Sequence, residues 1–144
     1  MAADIDALWD YAKPAESEAR FREALKTETG DAALEIETQI ARTFSMRRDF
    51  VRANSMLDAV AARTSGNTAP RVRIRYLLER GRTLNSSGQF EKAKPLFSDA
   101  FQLAQRENEV LLAIDAAHMF GFSKNLDEAM SWNQVRSEER RVGK

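Results

Sequence analysis

One spacing of small and apolar residues recurs along this chain and limits the folds it can adopt. From a small residue at Gly81, apolar residues follow at offsets of 3, 9, 12, 16 and 19, namely Leu84, Phe90, Ala93, Phe97 and Ala100. The same offsets from Ala41 give Phe44, Phe50, Ala53, Leu57 and Val60. From Ala117 they give Phe120, Leu126 and Ala129, and then fail at Asn133, which is next to Trp132. A fainter copy with Leu8, Phe21 and Ala24 comes first. Because the three anchors are 40 and 36 residues apart, the pattern predicts a tandem structural repeat.

Each copy predicts two short antiparallel helices. Steps of three and four residues place Ala93, Phe97 and Ala100 on one helical face. The alternation of large and small side chains suits helices whose axes approach to about 8–10 Å. We therefore expect the small anchor residues to lie where a neighbouring helix comes close.

Breaks between helices are predicted from turn-forming residues at 46–49, 64–70, 85–89 and 123–125. Gly30 is predicted to end one helix, with Asp31 as the N-cap of the next. Pro95 lacks the N–H that would bond to the carbonyl of Glu91, so we expect a bend near the start of its helix.

These residues resemble the tetratricopeptide repeat, which has a period of about 34 residues and an A-x3-F second helix. GRTLNSSGQFEKAKPLFSDAF (81–101) matches best, ARTFSMRRDFVRANSMLDAV (41–60) matches well, AAHMFGFSKNLDEAM (116–130) matches in part and EARFREAL (18–25) is a half-match. The consensus Trp and the closing Pro are missing from the clear copies, and the spacing is longer. FEKAKPLF, with its internal Pro95, is similar to the repeats of kinesin-light-chain type.

The resemblance covers roughly residues 5–135. It implies an all-α fold, a right-handed solenoid of helical hairpins with about three and a half repeats, truncated at the C-terminus. The alternative is a generic helical bundle in which the spacing is fortuitous.

In that family the first helices of successive repeats line a concave binding surface. The lining positions implied here are Glu35, Thr38, Gln39, Arg42 and Ser45, then Arg75, Leu78, Glu79, Arg82 and Asn85, and finally Leu111, Ile114, Asp115 and His118. The candidate partner-binding residues among them are Gln39, Arg42, Arg75, Glu79, Arg82, Asn85, Asp115 and His118. His118 is either a hydrogen-bonding residue of this groove or an ordinary, partly buried helix residue. The Lys/Asn set with which chaperone-binding members hold a C-terminal carboxylate is absent, so chaperone binding is not predicted.

Composition and charge exclude several classes of function. Lys+Arg and Asp+Glu both number 22, so no net charge attracts nucleic acid or an anionic membrane. With no cysteine and a single histidine, His118, the chain cannot build a usual zinc site. It also lacks a phosphate-binding loop and any recognisable catalytic motif. We therefore expect a protein that is not an enzyme and that binds neither a cofactor nor a metal. No apolar run reaches the roughly 20 residues of a membrane span, and the acidic start is not a secretory signal, so a cytoplasmic location is expected.

The segment RVRIRYLLERGR (71–82) carries five arginines in twelve residues. It is either an anion-binding face, for phosphates or an acidic peptide, or a solvated face with Ile74, Leu77, Leu78 and Gly81 turned to the core. Helical-repeat proteins that read RNA use long arrays, and the absence of basic excess makes nucleic acid an improbable partner.

The chain ends in RSEERRVGK (136–144), which interrupts the repeat. At offset 19 from Ala117, where a small apolar residue belongs, the chain has Arg136. The nine residues resemble the conceptual translation of a common sequencing adapter beginning AGATCGGAAGAGC. We therefore expect a repeat domain at 1–135 and an artefactual tail at 136–144, the alternative being a genuine basic arm that binds anionic partners.

The sequence thus predicts a protein–protein interaction scaffold that binds a peptide or helix of a partner in its groove. Two alternatives stay open, the N-terminal scaffold of a longer enzyme or regulator, and a weak anion or nucleic-acid binder through the arginine face. An interrupted last repeat would leave apolar surface exposed, so self-association through the C-terminal end is also expected.

Overall fold

The computed structural model of this chain describes the backbone of residues 4–122 and the side chains of residues 4–119. Within that range the regular structure is entirely helical, which confirms the all-α class. The seven helices are α1 (Ile5–Leu8), α2 (Pro14–Leu25), α3 (Gly30–Met46), α4 (Phe50–Arg63), α5 (Pro70–Ser86), α6 (Phe90–Arg106) and α7 (Val110–Phe122). The predicted break at 123–125, the second helix of the last repeat and the RSEERRVGK tail lie outside the described residues.

The turns that close the two central helix pairs have the same hydrogen bonds. After α3, the amide of Asp49 donates to the carbonyl of Phe44 at 2.9 Å, and after α5 the amide of Gln89 donates to that of Leu84 at 2.8 Å. The residue before each donor has a positive φ, 61° at Arg48 and 86° at Gly88. These turns lie at the predicted breaks 46–49 and 85–89, and the predicted loop at 64–70 is confirmed by the start of α5 at Pro70.

The predicted helix end at Gly30 is wrong. α2 already ends at Leu25, and Gly30 is the first residue of α3, with a φ of 60° that glycine adopts without strain. The N-cap position belongs to Thr29, so Asp31 lies in the first turn of the helix. Its carboxylate accepts a hydrogen bond from the amide of Ala69 at 3.1 Å and so connects the start of α3 to the loop before α5.

The contacts between helices are of two kinds. Each of the helices from α2 to α6 contacts the next one along the chain, and in addition α3 contacts α5 and α5 contacts α7. The odd-numbered helices α3, α5 and α7 are therefore neighbours in one row. α5 has the most central position, because it contacts α3, α4, α6 and α7.

The buried apolar residues form three clusters along the chain instead of one central core. The first lies among helices α1, α2, α3 and α4 and includes Trp9, Phe21 and Ile40. The second lies among α3, α4 and α5 and consists of Leu34, Val60 and Val72. The third, which joins α5, α6 and α7, consists of Ile74, Leu78, Ala93, Phe97, Ala100, Ala104, Leu112, Ala113 and Ala116.

The predicted close approach at the anchor Gly81 is confirmed. A Cβ atom added there would lie 2.6 Å from Cε1 of Phe97, which is closer than real Cβ contacts. The other two anchors, Ala41 and Ala117, are buried as well. α6 runs without interruption through Pro95.

None of the helices in the described range combines the length and the apolar character needed to cross a membrane.

Candidate partner-binding surface

At two equivalent places along the row of odd-numbered helices, an arginine faces a carboxylate of the next helix in the row. Nη2 of Arg82 on α5 lies 2.5 Å from both carboxylate oxygens of Asp115 on α7. One helix earlier, Nε of Arg42 on α3 lies 4.0 Å from Oε1 of Glu79 on α5. Both arginines come one residue after an anchor, and both carboxylates come two residues before the next anchor. Equivalent positions of successive helices therefore face each other, but only the Arg82–Asp115 pair is hydrogen-bonded.

Glu79 lies at the centre of a buried polar network. Nη1 of Arg82 donates to its Oε2 at 2.5 Å, and Nε2 of Gln39 donates to the same oxygen at 3.3 Å. The indole of Trp9 in turn donates to Oε1 of Gln39 at 2.9 Å. Glu79 is 1% exposed and Gln39 is not exposed at all. A partner cannot touch these two residues in this conformation, so they join the helices instead of lining the groove as predicted.

The second oxygen of Glu79 is left without a hydrogen bond. Its Oε1 is buried and has no hydrogen-bond partner among the described residues, and the contact with Arg42 is too long to be one. A buried acceptor in this state costs about 1–3 kcal/mol.

Arg82 is fixed as a cation by its neighbours. Burial lowers the pKa of the Arg82 guanidinium, but the charges of Glu79 and Asp115 and their hydrogen bonds outweigh burial and raise the pKa above its ordinary value. Its side chain is only 12% exposed. Arg82 therefore serves mainly to hold α5 against α7.

A second buried ion pair joins the N-terminal halves of α3 and α5. Nε of Arg75 lies 2.5 Å from Oε2 of Glu35, 40 residues earlier in the chain, and Nε of Arg71 donates to the same oxygen at 2.6 Å. Arg71 also donates to Glu109 at 2.9 Å. Arg75 is 9% exposed, so it is a connecting residue and not a free groove residue.

The five arginines of 71–82 all have acceptors within the chain. Besides the three just described, Arg80 donates to Asn54 at 2.7 Å and to Asp58 at 2.5 Å, and Arg73 donates to the carbonyl of Ser65. The interpretation as a solvated face is wrong for Arg75 and Arg82, because the carboxylates of adjacent helices draw them inward. The same pairs occupy some of the N–H donors that an anion would use.

The accessible members of the predicted set are Arg42, Asn85, Asp115 and His118. Arg42 and Asn85 are half-buried, the side chain of Asp115 is 34% exposed and His118 is exposed. The predicted lining residues Leu111 and Ile114 are exposed as well, whereas Glu35, Thr38, Ser45 and Leu78 are buried. The surface that a partner can reach is thus narrower than the sequence predicts.

Arg42 differs from the other arginines of the row. Its guanidinium lies over the rings of Tyr11 and Trp9, at 4.9 and 5.4 Å from their centroids. Those two rings are stacked, with centroids 4.5 Å apart. Arg42 donates no hydrogen bond to any described residue. The two aromatic rings hold its guanidinium group in place, and its N–H donors stay available to a partner.

A cavity of about 190 Å³ opens beside Arg42 and spans three successive odd-numbered helices. It is lined by Arg42, Ser45, Met46, Arg82, Asn85, Ser86 and Met119. Met46 and Met119 are missing from the predicted set. Their side chains are apolar and adaptable, and the sequence signal that could have found them is their place on the same helices one turn beyond the predicted polar positions.

No group of three or more histidine, aspartate or glutamate side chains in residues 4–122 is placed to hold a metal ion. Searches of protein-family models, curated proteins and solved structures find no match to this chain. Its function must therefore be inferred from the residues of this surface.

Proposed function

We propose that the chain is a protein–protein interaction scaffold built from tetratricopeptide-like helix pairs. It holds a peptide or helix of a partner protein against the row formed by α3, α5 and α7. The arrangement we propose is a right-handed solenoid of about three and a half repeats. Two features support it: the bond between Glu35 and Arg75 at a separation of 40 residues, and the equivalent positions at which Arg42 faces Glu79 and Arg82 faces Asp115.

The cavity beside Arg42 is the observation on which the proposal rests. Small-molecule and cofactor sites usually occupy about 300–1,000 Å³, and this cavity has about 190 Å³. Its size suits one or two side chains of a peptide better than a metabolite. Its position across three helices suits an extended or helical segment that runs along the row.

The side chains that line the cavity can form both hydrogen bonds and apolar contacts with a peptide. The available donors of Arg42 and the amide of Asn85 can bond to backbone carbonyl and N–H groups, and Met46 and Met119 provide apolar contact that adapts to different side chains. Because Arg42 is preorganised on the rings of Tyr11 and Trp9, little side-chain entropy is lost when it binds.

We propose a binding role without catalysis, since the two buried carboxylates of this surface are already bonded: Glu79 is held by Arg82 and Gln39, and Glu35 by Arg75 and Arg71. The role as the N-terminal scaffold of a longer enzyme or regulator is compatible with the same surface. A cytoplasmic location stays a prediction from the sequence.

Selection of peptides from a random displayed library, followed by fluorescence-polarisation titration, tests the proposal. We expect Arg42→Ala to weaken the selected peptides about tenfold or more, as removal of a central anchor does. Arg52→Ala is the matched control, because the Arg52 side chain is 70% exposed and lies on α4, away from the row. Peptides that bind the Arg42→Ala chain as tightly as the original chain, or a library that yields no binder, would contradict the proposal.

A further inference from the structure

One arginine holds a backbone conformation that arginine rarely adopts. Arg48, in the turn after α3, has a φ of 61°. In this left-handed region the Cβ of an L-residue lies too close to the following carbonyl oxygen, so glycine is favoured and asparagine is tolerated. The other positive φ angles within residues 4–122 follow that rule, since they belong to Gly30, Gly88 and Asn108. Arg48 is the exception, and its backbone conformation makes the fold less stable than a glycine would.

The equivalent turn after α5 has a glycine at this position. Gly88 follows the anchor Gly81 by seven residues, as Arg48 follows Ala41. Both turns close with the same hydrogen bond, in which the amide of the next residue donates to a carbonyl five residues before it. The turn therefore forms with glycine, and the backbone gives no reason for an arginine. The reason must lie in the side chain.

The side chain of Arg48 reaches from the turn after α3 to the end of α5. Its Nη1 donates to the carbonyl of Ser86, the last residue of α5, at 3.4 Å. Its guanidinium lies 5.0 Å from the centroid of the Phe50 ring. Ser86 is also one of the residues that line the cavity beside Arg42. Arg48, which is exposed, therefore presents its guanidinium at the rim of that cavity.

The positive charge of Arg48 has no countercharge within the described part of the chain. The adjacent Asp49 is paired with Arg52 at 3.3 Å. Glu18 is bonded to the other neighbour, Arg47, at 2.7 Å. Arg48 itself forms no ion pair with a described residue, and its two contacts are weak, because the hydrogen bond is long and the contact with the ring is exposed. These contacts do not explain an arginine where the backbone favours glycine.

We propose that Arg48 is a partner-binding residue whose guanidinium binds an acidic side chain of the partner segment at the rim of the cavity. Residues held in sparsely populated backbone regions cluster at functional sites, where binding and not stability retains them. The seven residues that line the cavity include Arg42 and Arg82 and no carboxylate, so the lining itself presents no like charge to the partner. This inference rests on the binding role proposed above and adds the chemistry of the partner, an Asp or Glu next to the residue that enters the cavity.

Arg48→Gly separates binding from stability, because it removes the side chain and relieves the backbone at the same time. We expect its urea midpoint to equal or exceed that of the original chain. Asn108→Gly is the backbone control, since Asn108 occupies the other turn position with a positive φ and no glycine. A midpoint below that of the original chain, with Asn108→Gly unchanged, would show that Arg48 is retained for the stability of the fold and would overturn the proposal.

Binding is measured as association and dissociation rates of the peptides selected from the displayed library. We expect Arg48→Gly to raise Kd about fivefold at low ionic strength, mainly through slower association, because a charge at the rim of an interface steers the encounter. At about 0.5 M salt the difference should fall below about twofold, since salt screens exposed charges. Asn108→Gly and Lys26→Ala, which removes a positive charge whose side chain is 72% exposed on the C-terminal side of α2, should leave the association rate nearly unchanged.

The peptides themselves supply the complementary test. The selected set should be enriched in Asp and Glu relative to the library. Replacement of these residues by Asn and Gln in one peptide should remove its sensitivity to Arg48→Gly. Arg48→Lys keeps the charge and should retain most of the association rate of the original chain.

The outcomes distinguish this inference from the proposed function. Peptides whose affinity depends on Arg42 but not on Arg48 would overturn the inference and leave the binding role in place. The same holds for neutral peptides that respond to Arg48→Gly as strongly as the acidic ones. Peptides that are indifferent to Arg42→Ala, or a library without binders, would overturn the binding role and with it the inference.

Discussion

Gly81 lies where any side chain would collide with the ring of Phe97. Gly81→Leu should therefore lower the free energy of unfolding by about 1–3 kcal/mol, the usual cost of overpacking, despite the better helix propensity of leucine. Gly66→Leu is the control, since nothing lies within 4 Å of that position. Urea denaturation followed by circular dichroism measures both. Equal urea midpoints for the two variants would show that α5 and α6 do not approach closely at Gly81.

The buried cation Arg82 allows a second prediction. Arg82→Met leaves Glu79 as a buried carboxylate without a countercharge in hydrogen-bond contact, so we expect a loss of about 3–5 kcal/mol. Arg52→Met removes an exposed pair with Asp49 and should cost no more than about 1 kcal/mol. Similar losses in thermal or urea unfolding for both variants would show that the Glu79 network does not join α3, α5 and α7 in solution.

At the scale of elements, Glu18 connects α2 to the end of α3. Its carboxylate accepts from Arg47 at 2.7 Å and from Arg22 at 2.6 Å. Burial raises the pKa of Glu18, but the hydrogen bonds and charges of Arg47 and Arg22 outweigh it and lower the pKa below its ordinary value. A lowered pKa in the folded state stabilises the fold above the unfolded-state pKa, and that contribution is lost as the pH falls through the folded-state value.

The stability difference between the original chain and Glu18→Gln should therefore stay constant from pH 7 to about pH 5 and shrink below about pH 4.5. For an ion pair near the surface we expect a difference of at most about 1 kcal/mol at neutral pH. Glu16→Gln is the control, because the Glu16–Lys13 pair is exposed on both sides. Urea titrations at several pH values measure this difference in the free energy of unfolding. A difference that grows towards acid pH would show that folding does not lower the pKa of Glu18.

The elements with the clearest repeat pattern could be predicted nearly to the residue. The breaks before Phe50 and Phe90 follow from the offsets of the sequence pattern, because each of these phenylalanines begins a series of apolar residues on one helical face. The start of α3 could not be predicted, because a glycine with positive φ can stand at either end of a helix.

The burial of the polar residues Gln39 and Glu79 could not be predicted from the sequence either. Each is an ordinary polar helix position until it is known that Gln39 and Glu79, 40 residues apart, face each other. The residues of the predicted groove lie on α3, α5 and α7, but their division into connecting and accessible residues required the structure.

At the scale of the whole molecule, the three clusters of buried residues follow one another along the chain. The cluster around Phe21 shares no residue with the cluster around Phe97, and the two are connected through the α3–α5 contact and the cluster of Leu34, Val60 and Val72. In such an arrangement stability is approximately a sum over neighbouring units, and one end can open while the other stays folded.

Native-state hydrogen exchange distinguishes this behaviour from a single cooperative unit. Phe21→Ala empties a fully buried site between α2 and α3, and we expect amide exchange in those helices to accelerate about tenfold or more while α6 changes less than about threefold. Phe97→Ala, equally buried, should reverse the order, with α5 and α6 accelerated and α2 least affected. The reason is that each substitution weakens only the cluster that it belongs to, and opening of that unit leaves the contacts of the distant one intact. The same acceleration in α2 and α6 for both variants would mean that all residues exchange through global unfolding, and the molecule would then be one compact cooperative bundle, not a row of helix pairs.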